Sequence, residues 1–504
     1  MKKTGLIICI TLFWAVMMTL LVNEEMIVSS AVETVIRPAP SSEAIAQGFL
    51  ESWMGVYLDD VKIGYTNTVI QDLTQTEVQG YTVRNISDLK IPILGEEKTV
   101  HIEGIAYLSR QKRIKDFFLF FTSGPHTFEL KGKAVDGELR VDIKGPEELI
   151  GPQTLVLEED VLLLDFIATP LILNELDIGK KLQFKVFDPM TLSPGYITMK
   201  VLGTEKIKYD TKAVDVFVAE LDFKGITSQI WVGSDGIVYK EKSPTGFTLV
   251  REYREKAVTI DNPLERKVDI LEKVSVSSAI AVEDPRNTRF VKVRLSGVNL
   301  AEFQLTNERQ RFSKEGSRQV LEITARGPSS DGPSGVIGAK NNDPLFEAYL
   351  QPELLIQSAD AVIIETARSI IEDETDSWKA ASLLGHWVYN NIKKIPVVSI
   401  PSAVDVLATR EGDCNEHTVL FTALARSIGI PTAMCAGVVY LRGRFYYHAW
   451  PKVYIGNEWI HLDPTFGQSV ADATHIQFAE GNLSRQIDIV RLVGQIKIDI
   501  LEYR

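Results

Sequence analysis

The sequence predicts an α+β chain: a long antiparallel β-rich region, then a smaller domain of helices and strands, with a transmembrane helix at the N-terminus. Three observations predict it. Alternating apolar residues broken by tight Asp/Gly turns run from about residue 49 to 258, and apolar residues at helical spacing begin only after residue 346. The first 25 residues hold one uncharged run long enough to cross a bilayer. The 504 residues exceed what one hydrophobic core usually serves, so more than one domain is expected. A formal net charge of −13, with no basic stripe, excludes broad nucleic-acid binding.

In chain order, Gly5 to Val22 carries no charge, and Lys2 and Lys3 hold its leading end in the cytoplasm. A retained signal-anchor over residues 1–25 is expected, giving a single-pass inner-membrane protein with its bulk in the periplasm. The rival is a cleaved signal peptide, for which Val28 and Ser30 offer a weak small-residue site. The length of the run and the polar Asn23-Glu24-Glu25 favour retention. Cys9 lies inside the run behind bulky Ile8, which does not suit lipid attachment. Export leaves two cysteines, Cys414 and Cys435, too few for a disulfide framework although they could pair.

Residues 49–258 read as successive hairpins, turning at Asp59-Asp60, Asp136-Gly137 and Asp235-Gly236. The apolar stretch Val156 to Leu176 is too long for a strand and is expected as a helix on the sheet, interrupted by Pro170. A second β-rich segment covers 265–326, and the Gly/Pro/Ser/Asn-rich 327–345 reads as a linker. Helices follow, one from Ser358 to Glu372 with Ile363, Ala367, Ile370 and Ile371 apolar, one from Ser377 to Ile392 with Leu384, Trp387, Val388 and Ile392. This domain runs over 346–475, and 476–504 is a C-terminal tail expected to pack on it.

The stretch REGDCNEHTVL places a thiol at the start of a helix. Asp413 suits the N-cap and Glu416 completes a capping box, with Cys414 at the first helical position. Leu420, Leu424 and Ile428 form the expected buried stripe, Arg426 sits in the last turn, and Gly429 and Pro431 stop the helix. Unpaired N–H groups and the helix dipole there favour thiolate over thiol. Cys435, in an apolar strand-like run, reads as a buried small hydrophobe.

A thiolate nucleophile needs a base, and YYHAWPKVYIGNEWIHLDPTFG offers His448 on a strand that turns at Gly456-Asn457. Counting back from that turn opposes Trp450 to Asp463 and His448 to Thr465, which makes Asp463 the diagonal neighbour of His448. Pro451 and Pro464 could bulge the strands and break that register. Each feature alone has an ordinary explanation: a strand histidine is usually structural, an Asp-Pro pair usually a turn. Together they make a specific coincidence. Asp463, at a strand end, is expected to carry little core packing, so its replacement should leave the fold intact. Five of the seven histidines fall between His386 and His475, but without metal-ligand spacing, so neither metal nor cofactor is expected.

These two motifs and their spacing resemble the transglutaminase-like superfamily over about Leu350 to Gln468. The resemblance implies a papain-like domain with Cys414 as nucleophile, His448 as general base and acid, and Asp463 as orienting partner. It also implies attack on an amide carbonyl through an acyl-enzyme, with the N–H of Cys414 as one oxyanion donor. Trp387, Asn390 and Asn391 are weak candidates for the second, and His417 for lining the cleft. The expected function is that of an envelope peptidase, amidase or acyltransferase acting on peptides or proteins. The rival is a binding or scaffold module that keeps the fold without turnover.

Overall fold

Turn chemistry organises the first region. Asp136 and Gly137 both take positive φ, 53° and 81°, the backbone of a two-residue turn whose twist matches the strands it joins. Leu94-Gly95 does the same at 50° and 78°, a turn whose leucine gives no sequence warning. The computed structural model describes residues 49–504 except 74–78, 145–152, 157–160, 164–170, 172, 174–175, 189–192, 224, 266–267, 302, 317, 329–334, 339–343, 400–401 and 482–486. The expected anchor over residues 1–25 lies outside them. No helix among the described residues is long and apolar enough to cross a membrane.

The described chain divides between Ile270 and Leu271 into two compact units. In the first, fifteen described strands form one sheet. From Phe49–Leu58 the chain runs outward strand by strand to an edge at Gln153–Val156. It restarts at the opposite edge at Leu162–Leu163 and returns to Phe247–Glu252, which pairs antiparallel with the first strand from Trp53↔Glu252 to Leu58↔Phe247. Burial alternates along the strands as a one-sided core requires: Phe117, Leu119 and Phe121 are buried on one, and Leu139, Val141 and Ile143 on another. The helix expected over Val156 to Leu176 does not appear among the described residues of that stretch. Leu162–Leu163 is instead an edge strand paired in parallel with Val186–Phe187, so its apolar residues answer to the sheet rather than to a helical period.

The second unit holds the expected helical domain, the β-rich segment before it and the C-terminal tail in one body. Phe290–Ser296 is paired on one side with Arg318–Thr324 and on the other with Lys497–Tyr503, so the tail is a strand of the segment's own sheet. The described part of the expected linker is also tied down, since Val336 bridges to Asp376. Four helices build the domain core: α1 (Ala361–Ile371), α2 (Ser377–Asn391), α3 (Ala403–Thr409) and α4 (Cys414–Ser427). Asp360 and Asp376 cap α1 and α2 through side-chain bonds to Val362 N and Lys379 N. The accompanying sheet runs β1 (Val276–Ser277), β3 (Arg444–Ile455), β2 (Thr432–Leu441), β5 (Ile476–Glu480), with β4 (Glu458–His461) on β3.

Helix α4 departs from its expected stripe. Every residue from Cys414 to Arg426 is buried, because α1, α2 and α3 pack on one side and β2 and β3 on the other. Its polar first turn is therefore satisfied internally. Asp413 Oδ1 accepts from Asn415 N at 2.9 Å, Glu416 Oε2 accepts from Asp413 N at 2.9 Å, and Ser399 Oγ donates to Glu416 Oε1 at 2.6 Å. Arg426 donates to Thr432 O and Gln351 O and pairs with Glu353 at 2.8 Å, which ties down the helix end.

Candidate active site

The capping box fixes Cys414 as the first residue of α4, where it is 1% exposed. His448 lies on β3 opposite Gly437 of β2, and the helix bearing Cys414 packs on that strand. The Gly456-Asn457 turn has both φ values positive, 61° and 68°, and sets Ile455↔Glu458 through Lys452↔His461 as the count predicts. Beyond that the ladder stops: Leu462 N still donates to Pro451 O, but Asp463 pairs with Gln468 rather than opposing Trp450. Pro451 has no N–H to give and Pro464 none to continue the strand. The extrapolated pairs Trp450 with Asp463 and His448 with Thr465 do not form, yet His448 and Asp463 meet.

They meet because Asp463 caps its own turn. Its Oδ1 accepts from Thr465 N at 2.7 Å and Phe466 N at 3.1 Å, leaving Oδ2 to accept from His448 Nε2 at 2.9 Å. His448 is fully buried, with the Trp450 ring stacked 5.9 Å away and Phe466 5.2 Å away. Burial pulls its pKa below the ordinary value against the opposing pull of Asp463, so the resting ring is neutral. Nε2 carries the proton that faces Asp463, while Nδ1 is buried with no hydrogen-bond partner. That unspent lone pair is what a general base requires.

Sequence reasoning missed His475. Its Nε2 lies 3.0 Å from the same Asp463 Oδ2, and its Nδ1 lies 3.2 Å from Asp472 O and 3.4 Å from Asp472 Oδ1. Burial opposes charge on this ring, but Asp472 and Asp463 outweigh it and raise its pKa. Burial would likewise raise the pKa of Asp463, but His448 and His475 hold its carboxyl well below the usual range. Asp472 is held low in the same way by His475 and Arg286, whose Nη1 lies 3.1 Å from Asp472 Oδ2. Only ADATHI marks this cluster, an Asp-x-Thr turn before a histidine.

The remaining candidates are placed less suggestively. Asn391 donates to Trp387 O at 2.9 Å, Trp387 packs on the helical core beneath the Arg410 guanidinium, and Asn390 is exposed. His417 is buried and donates from Nδ1 to Asp413 O at 2.5 Å; burial lowers its pKa to about 4. Gly437 is dictated by close approach, since a Cβ there would lie 1.9 Å from Ile476 O and push β5, with His475 at its start, away from His448. His448, Asp463 and His475 bring three ligand-type atoms within 4.8 Å of one another. Those atoms are already joined by hydrogen bonds, so an ion would have to displace both. Cys414 and Cys435 are not joined in a disulfide.

Residues 364–464 match the family described as the transglutaminase-like superfamily. This segment is a transglutaminase-like domain. The match contains Cys414, His448 and Asp463 and stops before His475. No curated protein matches the chain. Among solved structures, a candidate cysteine protease from Cytophaga hutchinsonii is similar at 18% identity, covering 43% of this chain and 89% of its own, with a TM-score of 0.28. A beta-barrel-like protein from Brucella abortus shares 13% identity over 40% of this chain and 94% of its own, at 0.31. A candidate protease from Parabacteroides distasonis shares 9% over 75% and 66%, at 0.19. None of these overlays is close enough to carry an inference about the chain, and the transglutaminase-like domain rests on the family match.

Proposed function

We propose that the transglutaminase-like domain is a thiol hydrolase or acyltransferase acting on peptide or protein amides. The supporting observation is the state of His448: its Nε2–H is committed to Asp463, its Nδ1 lone pair is unspent, and its strand underlies the helix that Cys414 opens. In this reading the Cys414 proton passes to His448, and the thiolate forms a C–S bond to the amide carbonyl carbon as the C=O pair moves onto oxygen. The backbone N–H of Cys414 faces that oxyanion. Collapse expels the amine, which takes the proton from the His448 imidazolium and leaves a thioester. Water, giving its proton to His448, then releases the acid and restores the thiol; an amine in its place gives transamidation.

The test is single-turnover acylation by an activated ester, with Cys414→Ala as control. The ester should be small, since Cys414 is 1% exposed. That burial is also what favours the second reading, a binding module without turnover. Release of one equivalent of leaving group from wild type and none from Cys414→Ala supports the enzyme; no release from either supports the module. Mass spectrometry of cleaved or joined peptide termini then separates hydrolysis from transfer. The proposed setting is the bacterial envelope, with peptide or protein partners, supported by the uncharged run Gly5 to Val22 behind Lys2 and Lys3. Membrane fractionation with N-terminal sequencing checks it, and a mature start near Ala31 would overturn the retained anchor.

A further inference from the structure

Four side chains alternate in charge away from the candidate base His448: Asp463, His475, Asp472 and Arg286. The hydrogen-bond geometry fixes the protons along this line. His475 Nε2 faces a carboxylate oxygen that also receives His448 Nε2–H, and His475 Nδ1 faces only the carbonyl and carboxylate oxygens of Asp472. Neither ring nitrogen has a donor opposite it, so both carry hydrogen and the ring is an imidazolium. Asp472 is itself locked, with Oδ1 accepting from Thr474 N at 2.8 Å and Thr474 Oγ1 at 2.5 Å. Arg286 beyond it donates to Tyr440 O at 2.5 Å and lies over the Phe466 ring at 4.1 Å.

We propose that His475 is a positioning residue of this site, clasping Asp463 toward His448 and offsetting part of the Asp463 charge, so that it sets the pH range over which His448 exchanges its proton. The inference rests on the thiol-enzyme reading above. Both Asp463 oxygens are filled, two bonds each, and His475 supplies the one that stops the carboxylate from rotating off His448. The His475 ring also places a positive charge with its centroid 5.5 Å from that of His448. The charged and titratable groups facing His448 are Asp463, His475 and Arg286, with Cys414 on the helix packed against its strand. Those facing His475 are Asp472, Asp463 and His448. A second cation beside a shared carboxylate makes the His448 proton easier to lose than Asp463 alone would allow.

His475→Gln separates the two roles, because the amide can still donate to Asp463 but carries no charge. The His448 titration, followed by NMR in the Cys414→Ala background, should move up by about one pH unit in the double variant. In the otherwise wild-type chain the acid limb of the acylation profile, which His448 sets as the base that must be unprotonated, should move up with it, while the maximal rate stays within about threefold. His475→Ala, which also loses the donor, should lower that rate by about 30-fold, and the Gln variant should rescue most of the loss. A purely structural histidine would lower stability without moving the titration. If wild type forms no acyl-enzyme, the enzyme reading fails, and the NMR titration still decides His475. An unchanged His448 titration in a folded Gln variant overturns the inference. Should that variant not fold, Asp472→Asn, which removes the carboxylate holding the His475 proton, should give a smaller shift of the same sign, and no shift there overturns the inference equally.

Discussion

Cys435, His461 and Glu308 repeat, within the same unit, the residue types of Cys414, His448 and Asp463. Cys435 Sγ lies 3.9 Å from His461 Nδ1, and His461 Nε2 donates to Glu308 Oε1 at 2.5 Å. Both imidazoles are buried and burial lowers the pKa of each, to about 3 for His461. They differ at the second ring nitrogen. Trp450 Nε1–H donates to His461 Nδ1 at 2.9 Å, which spends the lone pair that His448 keeps. The thiols differ too: Cys414 opens a helix, whereas Cys435 sits within β2 opposite Trp450, where burial pushes its pKa well up. Cysteine, histidine and carboxylate in proximity are therefore not yet a mechanism. Which lone pair is left free, and what the sulfur faces, decide between chemistry and packing.

The largest expected effects break that comparison directly. Cys414→Ala and His448→Ala should each lower single-turnover acylation by at least about 1,000-fold, and the double variant by no more than either alone, because the residues act as a unit. Cys435→Ala should leave the rate within about threefold in a folded protein. In native protein Cys414 should also alkylate faster than Cys435. Comparable labelling of both, or a disulfide joining them, would erase the distinction between helix start and strand.

Next in size is the carboxylate exchange. Asp463→Ala should lower the maximal rate by about 100- to 10,000-fold, since it removes the group that orients His448. The structure corrects the expectation that the fold would be indifferent: Asp463 is wholly buried and accepts four hydrogen bonds, and its loss would leave the Nε2–H of the His475 cation without an acceptor, with Asp472 as its one remaining carboxylate. Unfolding should cost about 3 kcal/mol less in Asp463→Ala, and about half of that in Asp463→Asn. Glu308→Gln should keep the rate within about threefold while still lowering the melting temperature. A Glu308→Gln variant as slow as Asp463→Ala would show that the two histidines are not separate.

What the sequence disclosed follows from locality. The capping box, the Gly456-Asn457 turn and the first four pairs of its hairpin depend on residues a few positions apart, and Asp413, Glu416 and Asn457 announce them. Mutual approach of His448 and Asp463 was readable even though its route was not, because the prolines end the ladder and an Asx turn finishes the connection. Leu162–Leu163 was misread because a long apolar run does not distinguish a helix from separate strands. His475, Asp472 and Arg286 stayed hidden because their meeting depends on β5 docking against Gly437 and on a residue nearly 190 positions upstream. The same is true of the tail strand Lys497–Tyr503, whose partner is Phe290–Ser296.

The histidines also set an acid limit. His417, with its pKa lowered to about 4, and His461, lowered to about 3, are neutral when folded, whereas the unfolded chain takes up their protons near 6.5. Below pH 6.5 the unfolded state binds more protons, so stability falls as pH drops toward 4. His475 has the opposite sign: its raised pKa contributes stability that is present below 6.5 and lost as pH rises through the folded value. Urea midpoints measured from pH 7 to 4 should therefore decline, and His417→Gln should reduce that decline by on the order of 3 kcal/mol. An equally steep decline in His417→Gln would mean that His417 is not buried neutral.

The smallest effect on rate is expected from Trp450→Phe, which is also the sharpest probe of the two sets. Phenylalanine keeps a ring stacked against His448 and edge-on to His475 but deletes the N–H that occupies His461 Nδ1. Losing one buried hydrogen bond should cost about 1 kcal/mol of stability, and acylation should stay within about threefold. The substitution also frees a lone pair 3.9 Å from Cys435, giving the second set the bare ring nitrogen it lacks. If a free nitrogen were sufficient, Cys435 would now alkylate as fast as Cys414 in the native protein. It should remain slow, because its sulfur stays buried within a strand, with no helix N-terminus to stabilise a thiolate. Fast labelling of Cys435 in folded Trp450→Phe would show that the ring nitrogen alone makes the difference, and that the helix start contributes nothing to Cys414.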